Sequence, residues 1–397
     1  MNTIVIGAGQ AGLSASHELT QRGMPHIILE RGQIGEAWRR RWDNFCLVTP
    51  NWATRLPGFP YAGDDPDGFM PRDDVVAHLE AYAQSFGAPV RTNVNITSVS
   101  KSDDEFLIRT DQGDFTSSNL VLSTGAYQKP YLPKGAESLP DGIKKLTLHD
   151  YKNPDALPLG DVLIIGSGQS GCQIAEELNS AGRKVTLACG RVAWAPRKSG
   201  GKDIFWWVLE SGFGDQKFAD VPPEARLVGN VLASGHHGGH DVNLALIQAQ
   251  GVELVGRFTG ADGNIARFAD DLVETNAFSN ARYGDLCALI KNTANAKGIA
   301  VEFPDPPELN GAARTEINLT GYGSVIFTGG FRPDYRSWLP WPEAFDADGF
   351  AMHTDGKSDT VEGLWFVGMH FLRTRKSALL AGVGEDANVV AEQIAGQ

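Results

Sequence analysis

Two glycine-rich turns carry the residues of this sequence whose types and spacing could do chemistry. Each reads G-x-G-x-x-G after a short apolar run, and the second begins 159 residues after the first. In this pattern the first glycine permits a tight turn, the second lets the backbone approach a pyrophosphate, and the third lets a helix pack on a strand. The phosphates then contact unpaired N–H groups at the start of the helix. The two turns are Gly7-Ala8-Gly9-Gln10-Ala11-Gly12 and Gly166-Ser167-Gly168-Gln169-Ser170-Gly171.

The residue that closes the second strand of each unit distinguishes the two ligands. In the first unit it is Glu30, whose carboxylate can accept hydrogen bonds from an adenosine ribose 2′-OH. In the second unit the same offset leads to Cys189, and Arg191 follows. A neutral residue beside an arginine suits a 2′-phosphate, which a carboxylate would repel. We therefore predict FAD at the first turn and NADP at the second, with Arg191 contacting the 2′-phosphate. A solvated loop arginine is the alternative.

The elements that must position these residues follow the order strand, turn, helix, strand in both units, as in a parallel sheet. Strand-like segments between the units include a β-meander that would cover the first sheet. Helix-like segments follow the second unit, and strands and a final helix close the chain. The helix-like segments are 13–22, 172–181, 204–209, 280–297 and 384–394. The strand-like segments are 26–29, 89–99, 105–110, 119–123, 184–188, 324–328 and 363–367, and 256–263 is predicted as a hairpin or turn.

Composition excludes several other classes of protein. The chain has 397 residues, enough for two or three domains without disulfides or structural metals. Its formal charge of −13 disfavours nucleic acid or an anionic membrane surface as the main partner. No apolar run approaches the roughly 18 residues of a spanning helix. The four scattered cysteines and an N-terminus that reads as a core strand favour a cytoplasmic protein without a signal or transit peptide.

Further landmarks extend over most of the chain, and in this order they resemble the flavin-containing monooxygenase family and its bacterial relatives, which have two dinucleotide-binding domains. Besides the glycine turns and Glu30, the landmarks are Trp38-Arg39-Arg40-Arg41-Trp42, Leu47-Val48-Thr49-Pro50, Ser123-Thr124-Gly125 before Pro130, Phe327-Thr328-Gly329-Gly330-Phe331-Arg332-Pro333 and Gly363-Leu364-Trp365-Phe366-Val367-Gly368. The resemblance implies an α/β fold with two Rossmann-like domains, the NADP domain being inserted into the FAD domain. We expect FAD-domain boundaries of 1–157 and 313–397, and an NADP domain over 158–312.

The same resemblance implies which residues hold the cofactors. The region of Trp38 approaches the FAD, the two Thr-Gly turns flank the cofactors, and the segment after Gly368 approaches the flavin ring. The stretch over 375–386 resembles the turn that places a helix N-terminus near the flavin pyrimidine edge, where the helix dipole would stabilise negative charge on the reduced flavin. A packing helix without cofactor contact is the alternative. The predicted cofactor-binding residues are Gly7, Gly9, Gln10, Ala11, Gly12, Glu30, Arg31, Trp38, Thr124, Gly125, Gly368, Gly166, Gly168, Gln169, Ser170, Gly171, Arg191 and Gly329.

The sequence departs from the family in one fingerprint. The pattern F-x-G-x-x-x-H-x-x-x-Y/F should fall between Leu139 and Tyr151, but Thr147 occupies the histidine position and His149 lies two residues away. The variant typical of Baeyer-Villiger enzymes, which ends in tryptophan, is absent too. The active-site asparagine of many family members has Asn51 as its nearest candidate, and a turn residue after Pro50 is at least as good an interpretation.

The chemistry follows from what the chain lacks and from the resemblance. A disulfide reductase needs two closely spaced thiols, and this sequence has no such pair. We therefore expect NADPH to reduce FAD, and dioxygen or a small organic oxidant to accept the electrons. The resemblance implies oxygen transfer, by way of a C4a-hydroperoxyflavin, to a nucleophilic nitrogen, sulfur or carbon of a small molecule. The alternatives are an NADPH oxidase or flavin-dependent reductase without oxygen insertion, and a redox-responsive protein that holds FAD structurally.

Two other groups of residues have structural interpretations. The histidines in 236–240 are glycine-rich and irregularly spaced, which favours a mobile or cofactor-covering loop over a metal site. Trp206 and Trp207 lie on a helix-like segment and are expected in the core, with a substrate wall as the alternative.

Overall fold

Two parallel β-sheets, each joined to one glycine turn, form the framework of the molecule. The computed structural model describes residues 2–226 and 231–396. In both units a buried strand ends at the first glycine and a helix begins within three residues. The α/β fold predicted from the sequence is confirmed.

The first sheet has seven strands, and its central strands are parallel. The two strands at one edge run antiparallel to their neighbours. In spatial order the strands are His353–Thr354, Lys357–Ser358, Leu364–Phe366, Asn119–Leu122, Thr3–Ile6, His26–Leu29 and Val90–Arg91.

The second sheet has five strands, all parallel. In spatial order they are Lys144–Thr147, Tyr322–Phe327, Asp161–Ile165, Val185–Ala188 and Glu253–Val255.

Smaller antiparallel sheets cover or connect the two large ones. The three-stranded sheets are Ile96–Ser102, Glu105–Thr110 and Gly113–Ser117, and Phe258–Asp262, Ile265–Phe268 and Glu316–Asn318. The two-stranded ladders pair Arg55–Leu56 with Phe59–Pro60, Lys129–Pro130 with Phe331–Arg332, and Lys198–Ser199 with Lys202–Asp203.

Eight α-helices lie within the described residues, together with several short 3₁₀ turns. The α-helices are Gln10–Gln21, Glu36–Arg39, Arg72–Ser85, Gln169–Ser180, Ile204–Glu210, Leu244–Ala249, Leu272–Lys297 and Val383–Ala395. The 3₁₀ turns are Asn51–Ala53, Ala136–Ser138, Pro154–Ala156, Phe213–Asp215, Phe218–Asp220, Pro223–Arg226, His236–Gly238 and Pro342–Ala344.

Hydrophobic residues bury both faces of each large sheet. In the first sheet, Val5 and Ile28 belong to a core that includes the first and last helices, whereas Ile4 belongs to the core beneath the meander. Strands buried on both faces read as continuous apolar runs, which is why the sequence reveals them. The central strand Thr3–Ile6 is fully buried, so it holds the glycine turn that follows it in a fixed position.

The structure corrects several element boundaries. The expected strand over 89–99 is two strands in different sheets, because its first part joins the first sheet and its second part begins the meander. The expected helix over 280–297 begins earlier, at Leu272. The hairpin or turn expected over 256–263 is the first part of a hairpin, whose strand Phe258–Asp262 pairs with Ile265–Phe268.

The domain division remains a prediction, but sheet membership changes where we place its boundaries. Lys144–Thr147 and Tyr322–Phe327 pair within the second sheet, although they lie outside 158–312. The ladder between Lys129–Pro130 and Phe331–Arg332 lies where the chain leaves and re-enters the first sheet. We propose that the second domain includes both Lys144–Thr147 and Tyr322–Phe327. We also propose that this ladder pairs the two chain segments that connect the domains.

Candidate functional site between the two glycine turns

The first glycine turn is shaped so that larger residues would not fit. Gly7 has φ +104°, a conformation that favours glycine. A Cβ atom at Gly12 would lie 1.8 Å from the carbonyl oxygen of Gly7, so the helix packs against the turn as closely as glycine allows. At Gly9 a Cβ would meet no atom within 4 Å. The open side of the turn therefore offers its backbone to a ligand, as a pyrophosphate site requires.

Glu30 lies at the adjoining strand end, with only 7% of its surface exposed. One carboxylate oxygen accepts a hydrogen bond from the Ala8 N–H at 2.8 Å, and the other accepts from the Gly32 N–H at 2.9 Å. These bonds fix the carboxylate beside the turn and leave it lone pairs for a hydroxyl donor. The arrangement fits the adenosine ribose of FAD.

The second turn repeats this geometry. A Cβ at Gly171 would lie 1.9 Å from the carbonyl oxygen of Gly166, whose φ is +117°, and Gly168 is open in the same way as Gly9. The residues present therefore fit a second dinucleotide.

One hydroxyl at each turn belongs to a landmark segment but was not among the predicted cofactor-binding residues. The Ser123 hydroxyl donates to the carbonyl oxygens of Ile6 and Gly7, at 2.7 and 3.1 Å. The Thr328 hydroxyl donates to the carbonyl oxygen of Gly166 at 2.6 Å. Both residues follow the neighbouring strand of their sheet, directly before the predicted Thr124-Gly125 and Gly329. A polar residue at the end of a buried strand was the available signal.

The two turns differ where the sequence predicts different nucleotides. Cys189 is buried and neutral, because burial raises the pKa of its thiol to about 12. In place of a carboxylate contact, the Ser167 hydroxyl donates to the Gly190 carbonyl and accepts from the Gly190 N–H. Arg191 is exposed, and its guanidinium carbon lies 5.4 Å from the centre of the Phe278 ring.

Arg282 is a second cation at this edge that the sequence interpretation did not include. It lies one turn after Phe278 on the helix Leu272–Lys297, with its guanidinium carbon 5.6 Å from the ring centre. It also pairs with Asp285 at 2.8 Å. Phe278 therefore lies within reach of two arginines, an arrangement suited to a phosphate beside an adenine.

Gln10 connects three of the predicted cofactor segments. Its side-chain oxygen accepts from the Trp38 indole N–H at 2.9 Å, and its amide donates to the Ala378 carbonyl at 3.3 Å. Gly368 approaches the same helix, since a Cβ there would lie 2.4 Å from the Cβ of Ala11. The Trp38 segment, the first turn and the chain after the last strand thus meet, whereas Arg31 points outward and is exposed.

Equivalent polar contacts surround the remaining predicted residues. Gln169 exchanges hydrogen bonds with the backbone of Ala233, and Ser170 is half-buried in the first turn of its helix. The Gln128 amide donates to the Thr124 hydroxyl at 2.9 Å and to the Gly125 carbonyl at 3.0 Å. These contacts fix the chain around both turns.

Asn51, the catalytic candidate, makes structural hydrogen bonds. It is buried, its amide donates to the Asp65 carbonyl at 2.9 Å, and its oxygen accepts from the Met70 N–H at 2.7 Å. These bonds pin the loop over 65–70, which accounts for the residue as a turn-stabilising asparagine.

The altered fingerprint lies at the end of Lys144–Thr147. The Thr147 hydroxyl donates to Asp150, and Tyr151 is buried with its hydroxyl donating to Glu177 at 3.0 Å. The His149 ring lies 5.3 Å from the Phe331 ring. Burial, with the positive charges of Arg41 and Arg40, lowers the pKa of His149, so its imidazole is neutral at pH 7.

The chemical contacts of the histidine loop and of Trp206 and Trp207 differ from those of the glycine turns. His240 Nε2 lies 3.0 Å from a Glu176 carboxylate oxygen. In the described ranges no three histidine, cysteine or acidic side chains are grouped to hold a metal ion. Trp207 is buried and donates to the Ser199 carbonyl at 3.1 Å, whereas Trp206 is half-buried. Across residues 2–226 and 231–396, none of the helices has the length and apolar character needed to cross a bilayer.

Comparisons with known proteins agree with this geometry. The family model described as pyridine nucleotide-disulphide oxidoreductase matches residues 4–206. An uncharacterized oxidoreductase CzcO-like protein of Geobacillus kaustophilus is 32% identical over 99% of this chain and 98% of its own. A probable indole-3-pyruvate monooxygenase of Arabidopsis thaliana is 31% identical over 44% of each chain.

The fold has a close structural counterpart. The structure of a flavin-containing monooxygenase from Stenotrophomonas maltophilia superposes with a TM-score of 0.70 and 21% identity, covering 100% of this chain and 98% of that one. The predicted two-dinucleotide architecture, the resemblance to flavin monooxygenases and the cofactors FAD and NADP are confirmed. The chain belongs to the pyridine nucleotide-disulphide oxidoreductase family and is an FAD-dependent oxidoreductase.

Proposed function

We propose that the chain is an NADPH-dependent FAD monooxygenase that oxygenates a small organic molecule at a nucleophilic nitrogen, sulfur or carbon atom. The reaction consumes substrate, O₂, NADPH and a proton, and it yields oxygenated product, NADP⁺ and water. One oxygen atom enters the product and the other leaves as water, with both electrons for that water coming from NADPH. The monooxygenase activity named for the Arabidopsis relative supports this reaction class.

The observation that carries the proposal is that two turns of matched backbone geometry have side chains suited to different ribose groups, a 2′-OH at one and a 2′-phosphate at the other. The first turn has the buried carboxylate of Glu30, and the second has neutral Cys189 with Arg191 and Arg282 near one aromatic ring. A carboxylate selects a free 2′-OH, whereas arginines select a 2′-phosphate. This difference supports FAD at the first turn and NADPH at the second.

The chain's own residues then bind and orient the reactants. The helix that begins at Gln10 and the helix that begins at Gln169 offer N–H groups to the two pyrophosphates. When bound, FAD would supply the redox chemistry between the reduced nicotinamide and dioxygen. The Trp38 indole N–H donates to the Gln10 side-chain oxygen, which holds both residues beside the first turn.

The thiols of this chain argue against a disulfide reductase. All four cysteines are free and buried. Burial raises the pKa of Cys46 to about 11 and of Cys189 to about 12, and it raises those of Cys172 and Cys287 as well. Thiol-disulfide exchange needs an accessible thiolate. Electrons from NADPH must therefore leave by an acceptor that is not a protein disulfide, and dioxygen is such an acceptor.

The test is the fate of oxygen in the FAD-loaded protein. With NADPH, O₂ and candidate amines, sulfides and carbonyl compounds, we expect product that carries one atom from labelled O₂, formed in step with NADPH consumption. Hydrogen peroxide in place of product with every candidate would favour the oxidase alternative. No consumption of NADPH would favour a protein that holds FAD structurally.

A further inference from the structure

Three consecutive arginines follow Trp38, and their environments differ. Arg39 pairs with Glu80, and Arg40 Nε lies 3.0 Å from a Glu36 oxygen. Arg41 has no carboxylate within 4 Å among the residues that the structure describes. Its Nε is buried and lacks a hydrogen-bond partner there. Arg41 as a whole is half-buried, and a guanidinium nitrogen that is buried without a partner is costly, which points to an anion that completes the site.

Aromatic rings surround this guanidinium. Its central carbon lies 5.2 Å from the centre of the Tyr127 ring and 5.8 Å from those of Phe45 and Phe331. The His370 ring centre lies 5.3 Å from that of Tyr127, and the His149 ring centre lies 5.3 Å from that of Phe331. We call these six residues the Arg41 cluster: Arg41, Phe45, Tyr127, His149, Phe331 and His370.

The cluster carries a single positive charge at neutral pH. Burial lowers the pKa of His370 to about 4, and the pKa of His149 is also lowered. Both imidazoles are therefore uncharged, and Arg41 alone attracts an anion.

The position of the cluster relates it to both cofactor turns. Tyr127 and His370 follow strand ends of the first sheet, whereas His149 and Phe331 follow strand ends of the second. Ligands of such folds bind beyond the carboxyl ends of the strands. Tyr127 is 44% exposed, so solvent reaches this side of the cluster.

We propose that the Arg41 cluster is the substrate site and that it takes an aromatic carboxylic acid, an inference that rests on the proposed function. Arg41 pairs with the carboxylate, and Tyr127, Phe45 and Phe331 contact the aromatic body. A nucleotide phosphate offers the same charge. However, each pyrophosphate already has a helix N-terminus, and the 2′-phosphate has Arg191. The apolar walls also suit an aromatic acid better than a phosphate.

The experiment measures binding to the FAD-loaded full-length protein by titration calorimetry. The probes are phenylacetate and its neutral amide, phenylacetamide. We expect the wild type to prefer the acid by about ten- to a hundredfold, the range of a charge-assisted hydrogen bond. Arg41→Gln removes that preference. Arg40→Gln is the matched control and retains it, because Arg40 is exposed and already paired.

Three further measurements distinguish a carboxylate ligand from a phosphate and guard against misfolding. Tyr127→Ala removes an exposed ring, so it should weaken both probes and leave the acid preference intact. The KM for NADPH and competition by inorganic phosphate report on a phosphate role. A rise in that KM in Arg41→Gln as large as the loss of acid binding would assign Arg41 to the nucleotide and overturn the proposal.

The remaining outcomes distinguish this proposal from the proposed function. If NADPH reduces the flavin but the wild type binds acid and amide equally, or Arg41→Gln keeps the preference, the substrate proposal alone is wrong. If NADPH fails to reduce the flavin in the wild type, the proposed function is wrong, whatever Arg41 binds.

Discussion

At the scale of single residues, the two nucleotide sites differ by a few substitutions on matching backbones. Glu30 and Cys189 stand at equivalent strand ends, and the Ser167 hydroxyl bonds to Gly190 where the Ala8 N–H bonds to Glu30. The backbone of each turn supplies the pyrophosphate site, so the side chains are left to select the ribose. Nucleotide preference can therefore be tested by changing side chains without disturbing the fold.

Arg191→Ala tests the 2′-phosphate assignment. We expect the KM for NADPH to rise about ten- to a hundredfold, with NADH use and FAD content nearly unchanged, because NADH lacks the phosphate. Steady-state kinetics with both nucleotides measure the effect. Arg267→Ala, which removes another exposed arginine, one paired with Glu316 on the strand Ile265–Phe268, is the control and should change neither KM. An equal effect on both nucleotides would contradict the role of Arg191.

Burial of Asp386 predicts a pH dependence of stability. Its pKa is raised to about 6, mainly because it is buried, with Arg373 Nη1 3.6 Å from one oxygen. Between about pH 4 and pH 6 the folded chain therefore binds a proton that the unfolded chain has released. Stability attributable to this group falls as the pH rises through that window.

Asp386→Asn should remove this fall. The free energy of unfolding of the variant, relative to the wild type, should improve between about pH 4 and pH 7, by no more than about 3 kcal/mol. Denaturant titrations of both proteins across this range measure the difference. A difference that does not change with pH would show that Asp386 titrates alike in the folded and unfolded states.

At the scale of elements, the sequence predicts buried strands well and exposed ones poorly. His26–Leu29 has the bounds expected from its apolar run. Lys144–Thr147 was missed, because it is an edge strand in which only Leu146 is buried. Gly113–Ser117 was missed for a similar reason, since its glycine and polar residues resemble a loop. The Arg41 cluster was missed because its members come from separate strand ends and meet only through the fold.

The glycine turns allow the two nucleotide sites to be disabled separately. Gly171→Ala would place a methyl group 1.9 Å from a carbonyl oxygen, so we expect loss of NADPH reduction with FAD retained. Gly12→Ala should instead abolish FAD binding, for the same steric reason at 1.8 Å. Flavin absorbance and anaerobic reduction measure the two losses.

Gly284→Ala is the control for these variants. This glycine lies inside the helix Leu272–Lys297, and a Cβ atom there would meet nothing within 4 Å, so alanine should be neutral or stabilising by up to about 1 kcal/mol. If Gly171→Ala kept normal NADPH reduction, close packing at the second turn would not be required for nucleotide binding.

At the scale of the whole molecule, one buried arginine ties the chain around the second turn to the first unit. Arg197 pairs with Asp203 at 2.6 Å and donates to the Val48 carbonyl at 2.7 Å, and its guanidinium lies 4.4 Å from the Phe69 ring centre. Burying both charges is tolerated because each satisfies the other. The contact joins the segment after the second turn to Val48 and Phe69 of the first unit.

Arg197→Met should therefore be strongly destabilising. Leaving the Asp203 carboxylate buried and unpaired costs about 3–5 kcal/mol, whereas Arg197→Met with Asp203→Asn should recover part of that loss. Denaturant unfolding of the single and double variants measures both. The exposed Arg267–Glu316 pair provides the comparison, at no more than about 1 kcal/mol. A loss of similar size at both pairs would contradict the account of Arg197.

The most direct test of the central claim is anaerobic addition of NADPH to the purified, FAD-loaded protein, followed by flavin absorbance. The two-turn arrangement predicts tight uptake of FAD and rapid bleaching of the flavin band by NADPH. Bleaching by NADH should be slower at equal, subsaturating concentration. A protein that stays colourless on reconstitution with FAD, or whose bound flavin NADPH does not reduce, would contradict it.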